Sequence, residues 1–485
     1  MKGYNYYLII SHKKFNKNLS AKLLLSFFYK YNKLQSPGKS VVRAYNATRL
    51  PGQTAYLCHA PFKALHFANN GRVLACCFNQ QAVLGEYPLQ TLKEIWQGKT
   101  ALKLRRHIQN NDLGFGCFVC HNQLLNKEYA SVKARMFDHL PGNKAGYPVQ
   151  MSFDLDNTCN LGCIMCNADN SSVIRQESPL YRPYHSPYGK SFVDELEPFI
   201  PYLHQASFAG GEPFLIKIYY DIWERILRIN SSVRINITTN GTILNDKIKD
   251  LLSRGFFEIS LSLDSLNKET YEQIRRHGRF EKVMENLQYF REYSRQKGTF
   301  FGVWACPLKV NRCEIPEMFR YFGEQDTALY LHTVWVPPAV TLWNLPADEL
   351  KALLRSYYAV KLPEDTEIQR ENKHRFEAYV LFVESCLALA ENKQQDPTGP
   401  DSCESYLSAH FLQLHKNKGL SQGQLALKEE DIRSKLKFCR SMLPPAINKK
   451  ATALLATYPD DFIFQIFEAG SKEMVCDFFK YLVRE

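Results

Sequence analysis

Between residues 147 and 337 six short apolar, β-rich runs alternate with segments long enough to be helices, and this alternation restricts the chain more than any other feature. The runs cover residues 149–155, 205–209, 233–238, 257–263, 300–305 and 329–335. Strands separated by helix-sized connections form parallel βα units with right-handed crossovers, so the expectation is an open barrel or a doubly wound sheet. In both architectures chemistry sits where strands end and loops begin.

The 485 residues, 45% apolar and 13% aromatic, have room for two or three domains with real cores, which excludes wholesale disorder. A formal charge of +12 suggests a nucleic-acid partner, yet the first 50 residues hold ten Lys or Arg and no Asp or Glu, leaving 51 basic against 49 acidic residues in the remainder. Basicity is therefore the property of a tail, read as a solvated extension or a contact for an acidic partner or anionic lipid. Its one apolar run, 23–28, is too short for a membrane span or a signal segment, and the expectation is a soluble, cytoplasmic protein without membrane contact. The chain divides into the tail (1–50), a small module (51–146), the βα region (147–337) and a mainly helical region (338–485) broken by Pro, Gly and Asp at 396–401. The module shows short strands around Asn70-Gly71 and a helix near 91–108 with Leu92, Ile95, Trp96 and Leu104 on one side.

Fourteen cysteines in such a chain point to thiolate ligation, not to a disulfide scaffold. Eight fall in two groups: Cys58, Cys76, Cys77, Cys117 and Cys120, then Cys159, Cys163 and Cys166. Cys306, Cys313, Cys386, Cys403, Cys439 and Cys476 are scattered and read as small buried residues. The second group has the spacing C-x3-C-x2-C directly after the first β-rich run. Three thiolates on one loop can ligate three irons of a cubane cluster and leave the fourth iron open to a substrate or cofactor. Structural zinc takes four ligands, and no fourth Cys or His lies nearby in sequence.

On these cysteines the βα region resembles the radical S-adenosylmethionine superfamily. The resemblance implies a partial (β/α)6 TIM-type barrel whose Cys159, Cys163 and Cys166 hold a 4Fe-4S cluster, with S-adenosylmethionine chelating the open iron. It further implies cleavage of that cofactor by one electron to a 5'-deoxyadenosyl radical, which abstracts hydrogen from substrate. Met165 stands where the family often has an aromatic residue. Gly210-Gly211-Glu212-Pro213, ending the second run, resembles the segment that holds the cofactor's amino group; adjacent glycines allow close backbone approach and a carboxylate suits an ammonium. Thr239-Asn240-Gly241 and Ser262-Leu263-Asp264, ending the third and fourth runs, resemble segments lining its ribose and methionine, with Asn240, Ser262 and Asp264 as the matching positions. Arg275 matches the arginine that meets the cofactor carboxylate, with Arg276 as the alternative. Taken singly an Asn-Gly is a generic turn and a helical Arg a solvated one; what carries the resemblance is their order at successive strand ends.

Cys58, Cys76, Cys117 and Cys120 give C-x17-C-x40-C-x2-C, enough thiolates to ligate a second, auxiliary 4Fe-4S cluster completely. This module is similar to the twitch form of the SPASM extension, including a Leu92-Lys93-Glu94-Ile95-Trp96 helix before the CxxC, although in most of the family the extension follows the barrel. Structural zinc is the alternative occupant, Cys77 an alternative to Cys76, and His59 and His121, which flank the cysteines, read as surface residues or as donors to the ligands. The resemblance implies an enzyme that modifies a peptide or comparable small substrate, with electrons from a small redox protein such as a flavodoxin or ferredoxin. Oxidation, crosslinking and epimerisation all stay open; Cys306 or Cys313 would be the hydrogen donor for the last. The alternatives are a small-molecule dehydrogenase of the same family, a zinc-containing nucleic-acid-binding protein and a catalytically idle scaffold.

Overall fold

The computed structural model describes residues 37–142, 146–179, 181–395, 422–444, 447, 450–451 and 472–482; the first 36 residues of the tail, the break at 396–401 and Cys403 lie outside them. Two compact units are present, one built from residues 33–332 and 360–379, the other from 333–359 and 380–485.

All six β-rich runs of the βα region are strands: β4 (Gln150–Phe153), β5 (Gln205–Phe208), β6 (Arg234–Thr239), β7 (Phe256–Ser262), β8 (Phe301–Ala305) and β9 (Ala328–Leu331). They pair in parallel and in chain order, so no reversal of strand order occurs and the doubly wound alternative is excluded. Right-handed crossovers that always advance the same way put every connecting helix on one face. The sheet begins in the module: β1 (Ala64–Phe67) pairs in parallel with β4, and β2 (Arg72–Leu74) and β3 (Gly85–Glu86) extend it antiparallel. One nine-stranded sheet, with β3 and β9 at its two edges, therefore runs through both regions.

Alternation along the strands separates the two faces chemically. Phe67, Phe153 and Phe208 stack on adjacent strands, with ring centroids 5.3 and 4.8 Å apart, against Phe192 and Trp223 of the covering helices Lys190–Leu196 and Lys217–Ile229. The latter helix buries Tyr219, Ile222, Trp223 and Ile226, the spacing of a single apolar stripe. On the opposite face the register aligns His66, Ser152, Ser207, Asn236 and Glu258 across five strands, with Thr238 beside Ser260 one step further along.

Two local expectations change. The first run was expected to reach Leu155, but the strand ends at Phe153, where the chain leaves the ladder to begin the cysteine loop. The module helix divides into Leu92–Gln97 and Lys99–Gln109 because Gly98, with ψ of 165°, is extended; the first piece starts on a capping box between Thr91 and Glu94. The second unit is mainly helical, with helices Ala347–Tyr358, Gln422–Met442 and Lys472–Leu482 and the buried thiols Cys386, Cys439 and Cys476. Among the described residues no helix is long and apolar enough to cross a membrane.

Removing the central ring of the aromatic stack tests this layer. Phe153→Ala, at a side chain 1% exposed, is expected to cost about 3–5 kcal/mol of stability, measured by chemical denaturation.

Candidate active site

Residues 156–166 form an irregular loop after β4, held on one side by the turn after β5 and on the other by the end of helix Lys268–Ile274. On one side the N–H groups of Gly211 and Glu212 donate to the carbonyls of Asp156 and Thr158 at 3.0 and 2.8 Å. That approach needs glycine: Gly210 has φ of +106° with Asp156 O 2.7 Å from where a Cβ would sit, and a Cβ on Gly211 would collide with Thr158 O. On the other side Gly162 N–H donates to Arg276 O (3.1 Å) and Ile164 N–H to Ile274 O (2.9 Å). Within the loop Cys166 N–H donates to Cys163 O at 3.0 Å, and Ser172 Oγ accepts from Cys159 N–H at 3.1 Å. The three thiols thus stand at the carboxyl ends of the parallel strands. Burial pushes the Cys159 thiol up to about 11, so ionising it calls for positive charge nearby, as from bound iron.

Two fully buried carboxylates flank the loop. Glu212 accepts from Phe214 N–H (3.1 Å), Thr239 Oγ1 (2.8 Å) and Asn240 N–H (2.7 Å). Pro213 opens the short turn that Glu212 caps. Asn240 Nδ2 lies 3.0 Å from Asn160 Oδ1 and 4.0 Å from Cys159 Sγ. Asp264 accepts from Cys306 N–H (2.7 Å) and forms an ion pair of 2.7 Å with Arg275 Nε; Arg275 Nη1 lies 4.0 Å from Cys163 Sγ. Arg276 is turned elsewhere, donating to Gly162 O at 2.8 Å and pairing with Glu177 at 2.6 Å. Ser262 stands at the end of β7, in register with Trp304. Cys306 sits where β8 ends, on Asp264, while Cys313 is exposed.

In the module Cys58, Cys76, Cys117 and Cys120 line one cavity, together with Phe78, Asn79, Leu113, Val119, Lys133, Ala134 and Phe137. It holds about 360 Å³ of unfilled space, part of it open to solvent. Among the described residues no three His, Cys, Asp or Glu side chains are placed to hold a single metal ion. Burial raises all four thiols, Cys120 to about 12, and for Cys58 the crowding of Cys120, Cys76 and Cys117 raises it further. Backbone N–H groups already point at these sulfurs, as from Ala60 to Cys58 at 3.4 Å, and Asn79 Nδ2 donates to Cys117 Sγ at 3.4 Å. Cys77 is exposed and does not line the cavity. The surface reading of His59 and His121 is overturned: they are 5% and 3% exposed, and His59 Nε2 bonds Gln53 O at 3.0 Å.

Asn79, Asn160, Asn311 and Lys133 escaped the sequence reading. The spacing does not mark them: Asn79 reaches Cys117, Asn160 reaches Asn240, Asn311 reaches Asp264, and Lys133 lines the cysteine cavity.

Comparison with known proteins agrees with this layout. Residues 156–322 match the radical SAM superfamily model, and residues 58–121 match the SPASM iron-sulfur cluster-binding domain, which here precedes the radical domain. The first domain implies S-adenosylmethionine and a 4Fe-4S cluster, the second an auxiliary iron-sulfur site. Curated relatives include proteins named GTP 3',8-cyclase from Clostridium botulinum (26% identical over 147 residues, 30% of this chain and 44% of that enzyme) and Listeria monocytogenes (26% over 204 residues, 40% and 57%). The chain thus spans about half the length of these relatives. Solved structures with similarity include anSMEcpe with bound AdoMet (19% identity, 43% of this chain and 60% of that chain, TM-score 0.32) and Streptococcus suis SuiB bound to precursor peptide SuiA (15%, 57% and 62%, 0.31).

Two measurements follow. Cys76→Ala is expected to lower the iron bound per reconstituted chain by about half, whereas Cys77→Ala leaves it unchanged; equal losses in both would reassign the ligand. Burial also pushes Glu212 up to about 7, above its unfolded value, so its contribution is fully present below the unfolded pKa and is lost as pH rises through about 7. Melting temperatures of the metal-free protein should therefore fall between about pH 5 and 8 more steeply than those of Glu212→Gln. Glu128, also raised to about 7 by burial, adds the same trend to both proteins and cancels in the comparison.

Proposed function

We propose that this chain, a member of the radical S-adenosylmethionine superfamily with its SPASM iron-sulfur domain ahead of the radical domain, abstracts hydrogen from a peptide in order to modify it. The observation that carries the reading is the cysteine loop at the strand ends, held between two buried carboxylates with Asn240 and Arg275 beside its sulfurs. Cys159, Cys163 and Cys166 would hold the radical cluster, and Cys58, Cys76, Cys117 and Cys120 the auxiliary one. When bound, the first cluster and S-adenosylmethionine supply the 5'-deoxyadenosyl radical that takes a hydrogen atom from substrate. Gly210 and Gly211 give the backbone room at the cofactor, and Pro213 and Ser262 belong to the same rim.

The polar face of the sheet is the place for substrate. Ser152, Ser207, Asn236, Thr238 and Ser260 offer hydroxyl and amide partners of the kind a peptide backbone uses. At its β1 border His66 Nε2 stands 3.7 Å from Asp154 Oδ2; burial lowers the imidazole, which keeps the ring neutral. The names of the curated relatives favour a second reading, a nucleotide substrate. Against it, the arginine on this face, Arg234, has Glu258 at 2.8 Å, and the described row presents no cluster of cations for a triphosphate. A cytoplasmic setting and a flavodoxin or ferredoxin as electron source complete the proposal.

Anaerobic reconstitution should give about eight irons per chain and, with dithionite and S-adenosylmethionine, 5'-deoxyadenosine. Alanine at Cys159, Cys163 and Cys166 together should abolish that product; if it persists, the radical site is elsewhere. GTP added to the wild-type reaction should leave the yield unchanged, and a GTP-derived product would favour the nucleotide reading.

A further inference from the structure

We propose that Glu212 and Asp264 are positioning residues: each buried carboxylate aims a nitrogen donor at one sulfur of the triad, Asn240 at Cys159 and Arg275 at Cys163. The inference rests on the reading that the triad ligates iron, and it departs from the roles that resemblance gives these two acids as contacts of S-adenosylmethionine.

Both carboxylates are 0% exposed; protein donors occupy both oxygens of Glu212, and Asp264 has one donor and one ion pair. On Glu212, Oε1 takes Phe214 N–H and Thr239 Oγ1, and Oε2 takes Asn240 N–H. Those bonds shape the turn after β6, in which Gly241 N–H donates to Thr239 Oγ1 at 3.0 Å. Asn240 Oδ1 in turn accepts from Thr242 N–H (2.9 Å) and Thr242 Oγ1 (2.6 Å). An amide whose oxygen is so engaged has one way left to point its nitrogen, toward Asn160 Oδ1 and Cys159 Sγ.

Asp264 repeats the arrangement on the other side of the loop. Its Oδ1 takes Cys306 N–H, its main-chain oxygen takes Asn311 Nδ2 at 2.7 Å, and its Oδ2 meets Arg275 Nε at 2.7 Å. Asn311 also donates to Cys306 O at 2.9 Å, so the loop after β8 is locked onto the acid. A guanidinium with a side chain 8% exposed needs such a counter-charge, and the pairing through Nε leaves Nη1 facing Cys163. The two nitrogens stand 4.0 Å from their sulfurs, at the long end for N–H to sulfur. Thiolates bound to iron carry more negative charge than thiols and draw such donors closer. Hydrogen bonds to cluster sulfurs favour the reduced, more negative state, so this geometry makes the triad cluster easier to reduce.

The test uses the full chain reconstituted with iron and sulfide, followed by potentiometry with electron paramagnetic resonance in the absence of S-adenosylmethionine. The signal that changes when S-adenosylmethionine is added marks the triad cluster. Asp264→Asn and Glu212→Gln are each expected to make reduction of that cluster about tenfold less favourable, the 59 mV that a one-electron couple moves per decade. Asn240→Leu keeps its backbone bond to Glu212 and loses the donor to Cys159 together with the acceptor for Thr242; it should show the same shift if a carboxylate variant fails to fold. Asp264→Asn combined with Arg275→Lys should shift no further than Arg275→Lys alone, because Asp264 acts through Arg275. Potentials equal to wild type in cofactor-free variants that bind S-adenosylmethionine more weakly would overturn the inference and return both acids to direct cofactor contact. Wild-type protein that takes up no iron at the triad would instead overturn the reading beneath it.

Discussion

A loop that must present three sulfurs cannot also spend its backbone on a helix or strand, yet its N–H and C=O groups still need partners once they are enclosed. Residues 156–166 meet that constraint by borrowing from neighbours: the Gly210–Glu212 turn on one side and the end of helix Lys268–Ile274 on the other. These bonds hold the cysteine segment between the turn after β5 and the end of that helix. The positions of Cys159, Cys163 and Cys166 are therefore a property of the sheet more than of the loop, and the glycines at 210 and 211 matter because any side chain there would push the two strand ends apart.

The continuous sheet has a second consequence. Pairing of β1 with β4 joins the N-terminal module to the first strand of the radical region in register, so a module too small for a core of its own shares one. Cys58 precedes β1 and Cys76 follows β2, which places both at the open end of that hairpin, where β4 begins; the triad follows the end of β4. A module encoded ahead of the parallel strands instead of behind them is in this way tied to β4 by backbone hydrogen bonds. The same strands carry a stacked aromatic layer on the helix side and a polar row on the other, so one alternation serves stability and recognition together.

Much of this was legible in the residue order. The six strands, the triad, the four module cysteines and the sequence of motifs at successive strand ends all appear where periodicity and spacing put them. The helix division at Gly98, the burial of His59 and His121, and the networks through Asn160, Asn311 and Asn79 did not. Asparagine has no periodic signature, and the partners of these three lie in loops distant along the chain, at Asn240, Asp264 and Cys117.

Composition and spacing by themselves determined that the thiols would gather in two groups and that parallel strands would carry one of them, because spacing and periodicity are local properties written along the chain. Tertiary structure decided which atoms face one another: that Arg275 and not Arg276 lies beside Cys163, that Cys76 and not Cys77 turns into the cavity, and that Glu212 takes three protein donors while Asp264 takes one and pairs with Arg275. Adjacent residues differ by about 100° around a helix and 180° along a strand, so a choice between neighbours is made only when the surrounding elements have packed.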